Sequence, residues 1–258
     1  MKTVIQILFL GMILSFSGCV TLYKPNSVYS PLLKAKGEAN VSASVGMSGN
    51  GLVNVQAAYA VSNHAAIMVD GMYHNRESSD NSSVEKLNIF SGEVGAGYFT
   101  MLGANKNKLF QCYGGAGYGT SSDKIETTDQ SNPEASARYF NVFVQPGVAL
   151  ITRDNLELAV DLRANYVHMY NIQAYLYDQF DWWNTDFQYY SDTTLNFVNL
   201  EPTVTLKVGG KNLKGTFQLG AIVPTINSNA YYDVNTSSRL GFSLVKVSFG
   251  ISYTFKKK

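Results

Sequence analysis

From Val245 to Phe255 the chain reads Val-Lys-Val-Ser-Phe-Gly-Ile-Ser-Tyr-Thr-Phe, apolar at every odd position and small, polar or charged at every even one. Such period-two alternation describes a β-strand with one face in an apolar medium and the other wet. The pattern recurs along the chain, in residues 37–47, 52–61, 65–75, 87–99, 108–119, 138–151, 156–170, 197–208 and 215–225. Each stretch is near the ~9–11 residues that a tilted strand needs to cross a bilayer. In 156–170, for instance, Leu156, Leu158, Val160, Leu162, Ala164 and Tyr166 oppose Glu157, Asp161, Arg163 and Asn165.

Soluble sandwiches and barrels also alternate, so three further features are needed to choose between media. The polar face is mostly Asn, Gln, Ser, Thr and Gly with isolated carboxylates and few lysines, unlike a solvated surface. The apolar face carries aromatics near the strand ends, at Tyr59, Tyr98, Phe110, Tyr118, Phe140, Tyr166, Tyr253 and Phe255, as interfacial girdles do. The connections also alternate in length. Short links fall at Ser62–His64, Leu102–Asn107, Thr152–Asn155 and Gly209–Lys214, and long ones at 77–86, 120–137, 171–195 and 226–239; Ser48–Gly51 is short where a long one is due. Short periplasmic turns and long outer loops are the habit of outer-membrane barrels. The expectation is an all-β, closed, antiparallel, up-and-down transmembrane β-barrel of about ten strands (roughly 8–12), with both chain ends on the periplasmic side. Three prolines, Pro146, Pro202 and Pro224, fall inside proposed strands. A closed barrel has no edge to hold them, so they are expected at bulges or strand ends.

The N-terminus begins with Lys2, continues through an apolar run from Val4 to Phe16, and breaks at Ser17-Gly18-Cys19. That order is a secretory signal, and the run is too short to span a bilayer as a helix. Small residues directly before a cysteine predict cleavage there and acylation of Cys19, leaving Cys112 without an intrachain disulfide partner. Residues 1–18 are thus read as a signal peptide of lipoprotein type, 19–36 as a lipidated periplasmic tether containing Pro25 and Pro31, and 37–258 as the barrel.

Taken together, the lipobox-like Phe16-Ser17-Gly18-Cys19, the stretch Lys36-Gly37-Glu38-Ala39-Asn40-Val41, the segment Val55 to Val61 followed by Asn63-His64, and the aromatic last strand resemble a known group. That group is the small, porin-like outer-membrane β-barrels of Gram-negative bacteria, particularly the lipoprotein-anchored barrels of the Bacteroidetes. The resemblance implies an outer-membrane location, an N-terminal lipid anchor on the periplasmic side, and a last strand read by the barrel-assembly machinery. It is architectural and implies no particular activity.

Function is less legible. Charged residues are 15% of the chain and the net charge is +1, which argues against a nucleic-acid partner. The three histidines offer no zinc spacing and no His–Ser or His–Asp dyad within one strand. The glycines at 114, 115, 117 and 119 are not followed by Lys-Ser or Lys-Thr, as a phosphate loop would require. No catalytic residue, cofactor or metal is therefore expected. The wet face carries Glu38, Asp70, Glu93, Glu157, Asp161 and Glu201 beside Arg163, Lys207 and Lys246. These predict either a salt-bridged network that plugs the lumen or a narrow, cation-favouring passive pore. Between the strands, 172–194 hold Tyr175, Tyr177, Phe180, Trp182, Trp183, Phe187, Tyr189 and Tyr190 among aspartates, with no Lys or Arg. Three readings of that stretch stand together: an outward recognition loop, an extension of the interfacial girdle, or a cap over the lumen. The overall expectation is a non-enzymatic structural, binding or accessory barrel, with outer-membrane lipid, a larger membrane complex, or surface carbohydrate or protein as partners. A passive pore and a soluble periplasmic β-sandwich or lipocalin-like lipoprotein are the alternatives.

Overall fold

The computed structural model describes residues 23–47, 51–80, 83–127, 134–152, 155–177, 187–227 and 245–256. Eleven strands follow in order: β1 (Ala39–Gly46), β2 (Leu52–Ala60), β3 (Ala65–Asp80), β4 (Ser83–Leu102), β5 (Lys108–Thr127), β6 (Glu134–Thr152), β7 (Leu156–Tyr177), β8 (Phe187–Gly209), β9 (Leu213–Ala221), β10 (Val223–Asn227) and β11 (Val245–Phe255). Each strand up to β9 pairs antiparallel with the next. β9 pairs with β11, and β11 closes onto β1 with Ala39 opposite Phe255 and Gly46 opposite Ser248. β10 continues β9 along the same flank of β8, the two facing Phe197–Leu200 and Thr203–Gly209 respectively. The result is a closed barrel with ten strand positions.

Alternation sorts the faces. On β7, Leu158, Val160, Leu162 and Tyr166 are exposed on the outside, whereas Glu157, Asp161, Arg163 and Asn165 are buried inside. The other strands repeat this, so large apolar side chains cover the exterior. Two aromatic rings bound that cover. Tyr59, Tyr98, Tyr253 and Phe255 stand near the short turns, and Tyr73, Phe90, Tyr118, Phe140 and Tyr166 stand further along. Phe90 and Tyr98 are eight residues apart on β4, about 26 Å along the strand and so roughly 20 Å of height at a tilt of ~40°, on the scale of the apolar band of a membrane barrel.

The strands run well past the second ring, so most of the long loops expected from the sequence are strand. β3 and β4 stay in register up to Asp80 opposite Ser83, and β5 reaches Thr127. Beyond the ring the exterior turns polar, as where Glu77 stands opposite Lys86, while Leu87, Ile89, Ala135, Ala137 and Met169 are buried inside, so pairing continues although the outward apolar face ends. The wall is uneven as a consequence: β1 has 8 residues and β2 has 9, against 22 in β7 and 23 in β8.

Each proline sits where a ladder is interrupted. The β6–β7 register passes from Val144 opposite Ala164 to Gly147 opposite Asp161, leaving Pro146 in the gap. Pro202 lies between the partners of β9 and those of β10, and the β10–β8 register shifts directly after Pro224. No strand has to be given up on their account.

The glycines of β4 and β5 make room for rings. A Cβ on Gly115 would stand 2.7 Å from the Phe143 ring, and one on Gly97 or Gly119 would overlap the Tyr113 or Tyr139 ring. Those three aromatics are buried inside the barrel, so the wall is thinned where its largest inward side chains lie.

Candidate functional site

An eight-stranded barrel is just filled by its side chains, and ten strands leave additional space. Here the additional space holds residues 23–34 of the same chain, which corrects the reading of 19–36 as a tether outside the barrel: Tyr23, Asn26, Val28, Tyr29, Leu32 and Leu33 are all buried. Residues 19–22 lie outside the described residues.

The segment has no strand partner, so its peptide groups need side chains. Five consecutive carbonyls receive one each. Lys246 Nζ donates to the Asn26 oxygen at 2.7 Å, Gln56 Nε2 to Ser27 at 2.9 Å, and Gln218 Nε2 to Val28 at 2.7 Å. Gln145 Nε2 donates to Tyr29 at 2.8 Å and Lys207 Nζ to Ser30 at 2.5 Å. These donors stand on β11, β2, β9, β6 and β8, so the grip comes from all around the wall. The Ser27 N–H in turn donates to Asn54 Oδ1 at 3.2 Å.

Side chains complete the fit at three levels. Nearest the short turns, Leu32 and Leu33 pack in an apolar cluster with Ala60, Phe99, Leu109, Ala149 and Ala159. Glu157 Oε1 there takes Lys34 Nζ at 2.9 Å and Lys214 Nζ at 2.8 Å, and Glu38 Oε2 accepts the Lys34 N–H at 2.6 Å. At mid-height the Ser30 hydroxyl bonds Asp161, whose other oxygen takes Gln111 Nε2 at 2.9 Å. Asp70 accepts Gln56 at 2.6 Å. Arg163 Nη2 meets Glu93 Oε2 at 2.5 Å, and the guanidinium lies 3.9 Å from the Phe143 ring centre. Glu201 meets Lys246 at 3.0 Å. Near the second aromatic ring, Tyr23 gives Asn165 a hydrogen-bond partner at 2.9 Å and packs edge-on against Tyr139 and Phe197. Lys24 Nζ is 3.5 Å from His74 Nε2.

Past the second ring, the Asp123 carboxyl of β5 is buried under the tall rim, where Leu87 stands between it and Arg76 in the ladder. Burial pushes its pKa up to about 6, with Glu85 adding to the rise and Arg76 opposing it.

The nine charged residues singled out on the wet face therefore all lie inside the barrel, not in one cluster but spread along the segment. The sequence reading put Gln56, Gln145, Gln218, Asn141 and Asn165 on the wet face without giving them a role, and it missed the segment they hold. The signal for the segment was available: 25–33 read Pro-Asn-Ser-Val-Tyr-Ser-Pro-Leu-Leu, without a charge. Of the aromatic stretch, Tyr175 and Tyr177 belong to β7 and Phe187, Tyr189 and Tyr190 to β8, with Tyr175 opposite Tyr189. These five stand on strands and not in a loop, while Phe180, Trp182 and Trp183 lie outside the described residues. Among the described residues no group of three His, Cys, Asp or Glu side chains is arranged to hold a metal. Cys112 is a half-buried free thiol.

No protein-family model matches the sequence, and no curated protein matches it. Among solved structures, the chain is similar to the translocator domain of the autotransporter NalP from Neisseria meningitidis, at 10% identity over 86% of this chain and 87% of that one, with a TM-score of 0.49. It is also similar to a major outer membrane protein from Thermus thermophilus, at 12% identity over 85% and 99%, with a TM-score of 0.40. A third likeness is to CarO from Acinetobacter baumannii, at 11% identity over 88% and 100%, with a TM-score of 0.31.

Proposed function

We propose that this protein is a non-enzymatic outer-membrane β-barrel lipoprotein of a Gram-negative bacterium whose lumen is closed by its own N-terminal segment. It serves as a structural or binding subunit within the membrane and not as a pore. The apolar exterior between two aromatic rings supports the membrane location, since a water-soluble monomer rarely exposes so continuous an apolar surface. The short turns then face the periplasm and the tall strands the outside. The observation that carries the closed lumen is the row of five carbonyls, Asn26 to Ser30, each held by a wall side chain. Such a row leaves little room for a solute file. The tall rim built by the outer parts of β7 and β8 is the surface offered to a carbohydrate or protein partner.

Planar-bilayer recording tests the closed lumen. The intact protein is expected to be silent, and a variant lacking residues 23–34 to conduct. A stable unitary conductance from the intact protein would overturn the reading in favour of a narrow passive pore.

A further inference from the structure

We propose that the barrel threads its own N-terminus to the cell surface, so that an acyl group on Cys19 sits in the outer leaflet and not on the periplasmic side. This rests on the outer-membrane reading above for which end is outside; the direction of the thread itself does not.

The direction follows from contacts at each end. The Lys36 N–H donates to Asn63 Oδ1 at 3.2 Å, and Asn63 belongs to the β2–β3 turn, beyond the first aromatic ring. Lys34 is tied to Glu157, the second residue of β7 after another short turn. Moving back towards the N-terminus, Tyr29 bonds Asn40 and Gln145, Ser27 bonds Asn54 and Gln56, and Asn26 bonds Ser91 and Lys246. Tyr23 then packs on Tyr139 and Phe197, neighbours in sequence of Phe140 in the second ring and of Val198, the partner of Tyr166. Lys24 reaches His74, next to Tyr73 of that ring.

From Lys36 to Tyr23 is 13 residues, a contour of roughly 40 Å at most, shortened where Leu32 has a φ of 55° and the chain turns at Ala35, and the contacts above put its two ends at opposite aromatic rings. By Tyr23 the chain has therefore already crossed. A return to the periplasm would need a second passage through a lumen that the segment, Arg163, Phe143 and Tyr113 already fill.

The exit also favours a lipid. Tyr23, Lys24 and Pro25 line an open cleft with Gly46, Leu52 and Val247, at the top of the short wall made by β1, β2 and β11. Cys19 is four residues before Tyr23, a reach of about 14 Å at most. An acyl chain has to leave water for hydrocarbon, and the outer leaflet beside β1 and β2 is the place the exit opens onto.

The test inserts the recognition sequence of a site-specific protease between Thr21 and Leu22 of the full-length protein, in cells fed an alkyne fatty acid. A control carries the same insertion next to Asn63. Protease added to intact cells is expected to strip the fatty-acid label from the barrel in the first variant and to leave the control uncut until the outer membrane is permeabilised. Label loss only after permeabilisation, or cutting of the Asn63 control alone in intact cells, would overturn the proposal. Paired cysteines at Asn26 and Ser91, in a Cys112→Ser background, are expected to crosslink while the label stays strippable from outside. A crosslinked barrel whose label resists external protease would sink the idea even with the segment seated. Release of the protein by carbonate without detergent is a separate outcome, and strikes at the membrane reading itself.

Discussion

Arg163 Nη2 lies 2.5 Å from Glu93 Oε2, and neither side chain is reached by solvent to any useful extent. The pair bridges β4 and β7 across the lumen, and Asn141 donates to the other Glu93 oxygen at 2.9 Å. Two charges removed from water depend on each other, and removing one strands its partner at ~3–5 kcal/mol. Glu93→Ala or Arg163→Ala is therefore expected to lower stability by about that amount, read as the urea midpoint of heat-modifiable migration in detergent. The double variant Glu93→Gln with Arg163→Met is expected to recover part of the loss. If the double variant were as unstable as the sum of the singles, the pair would not be a coupled unit.

The wall glycines lead to a second expectation. A Cβ at Gly119 overlaps the Tyr139 ring, whereas one at Gly71 meets nothing closer than 3.9 Å. Gly119→Ala should cost about 1–3 kcal/mol by overpacking, and Gly71→Ala close to nothing. Tyr139→Leu should restore much of the stability of Gly119→Ala, because the clash is with the ring. Equal effects at Gly71 and Gly119 would show that backbone freedom, and not space, is what these positions require.

These two cases also show what was legible. Alternation such as Val53, Val55 and Ala57 against Asn54 and Gln56 marks a strand with unlike media on its two faces, so the ten strand positions and the inward charges could be read directly. The same signal breaks where the exterior turns polar and apolar side chains such as Leu87, Ile89 and Ala137 move to the inside. It therefore stopped at the second aromatic ring, although β3 and β4 continue to the Arg76–Glu85 ion pair at 3.4 Å and beyond. It fails again for 23–34, which belongs to no ladder and touches wall on every side. Glycines 115, 117 and 119 were visible, but their reason lies in Phe143, Asn141 and Tyr139, on a strand twenty or more residues away. Lone residues with long-range partners leave no periodic trace.

Asp123, in the tall rim beyond the membrane, predicts a pH dependence. Folded, its carboxyl titrates near 6; unfolded, near 3.8. Below pH 3.8 it is neutral in both states and its burial costs little. Between about 3.8 and 6 the folded form binds more protons than the unfolded one, so this group's contribution to stability falls as pH rises. The loss levels off above pH 6 at roughly 2 kcal/mol once solvent screening is allowed for. Glu85 and Arg76 act on the same carboxyl, so the comparison has to be wild type against Asp123→Asn, in which both remain. The variant is expected to gain on wild type in urea midpoint from pH 4 to 6 and to keep a constant lead above that. A difference that is flat with pH would show that the rim strands do not bury Asp123.

The carbonyl grip makes a last prediction, about which residues matter. Main-chain oxygens are common to every amino acid, so the grip should be indifferent to the smaller side chains of the segment and sensitive to the wall donors. Gln145 and Gln218, both buried, hold the Tyr29 and Val28 carbonyls at 2.8 and 2.7 Å. Removing either donor leaves a buried acceptor unmade, at ~1–3 kcal/mol. Gln145→Ala with Gln218→Ala is expected to produce brief channel openings in planar bilayers, where wild type is silent, because the segment then leaves the lumen a measurable fraction of the time. Ser27→Ala, which keeps both Ser27 main-chain hydrogen bonds to Asn54 and Gln56, is expected to stay silent. Openings in Ser27→Ala but not in the double glutamine variant would mean that side-chain packing, and not the main chain, holds the segment in place.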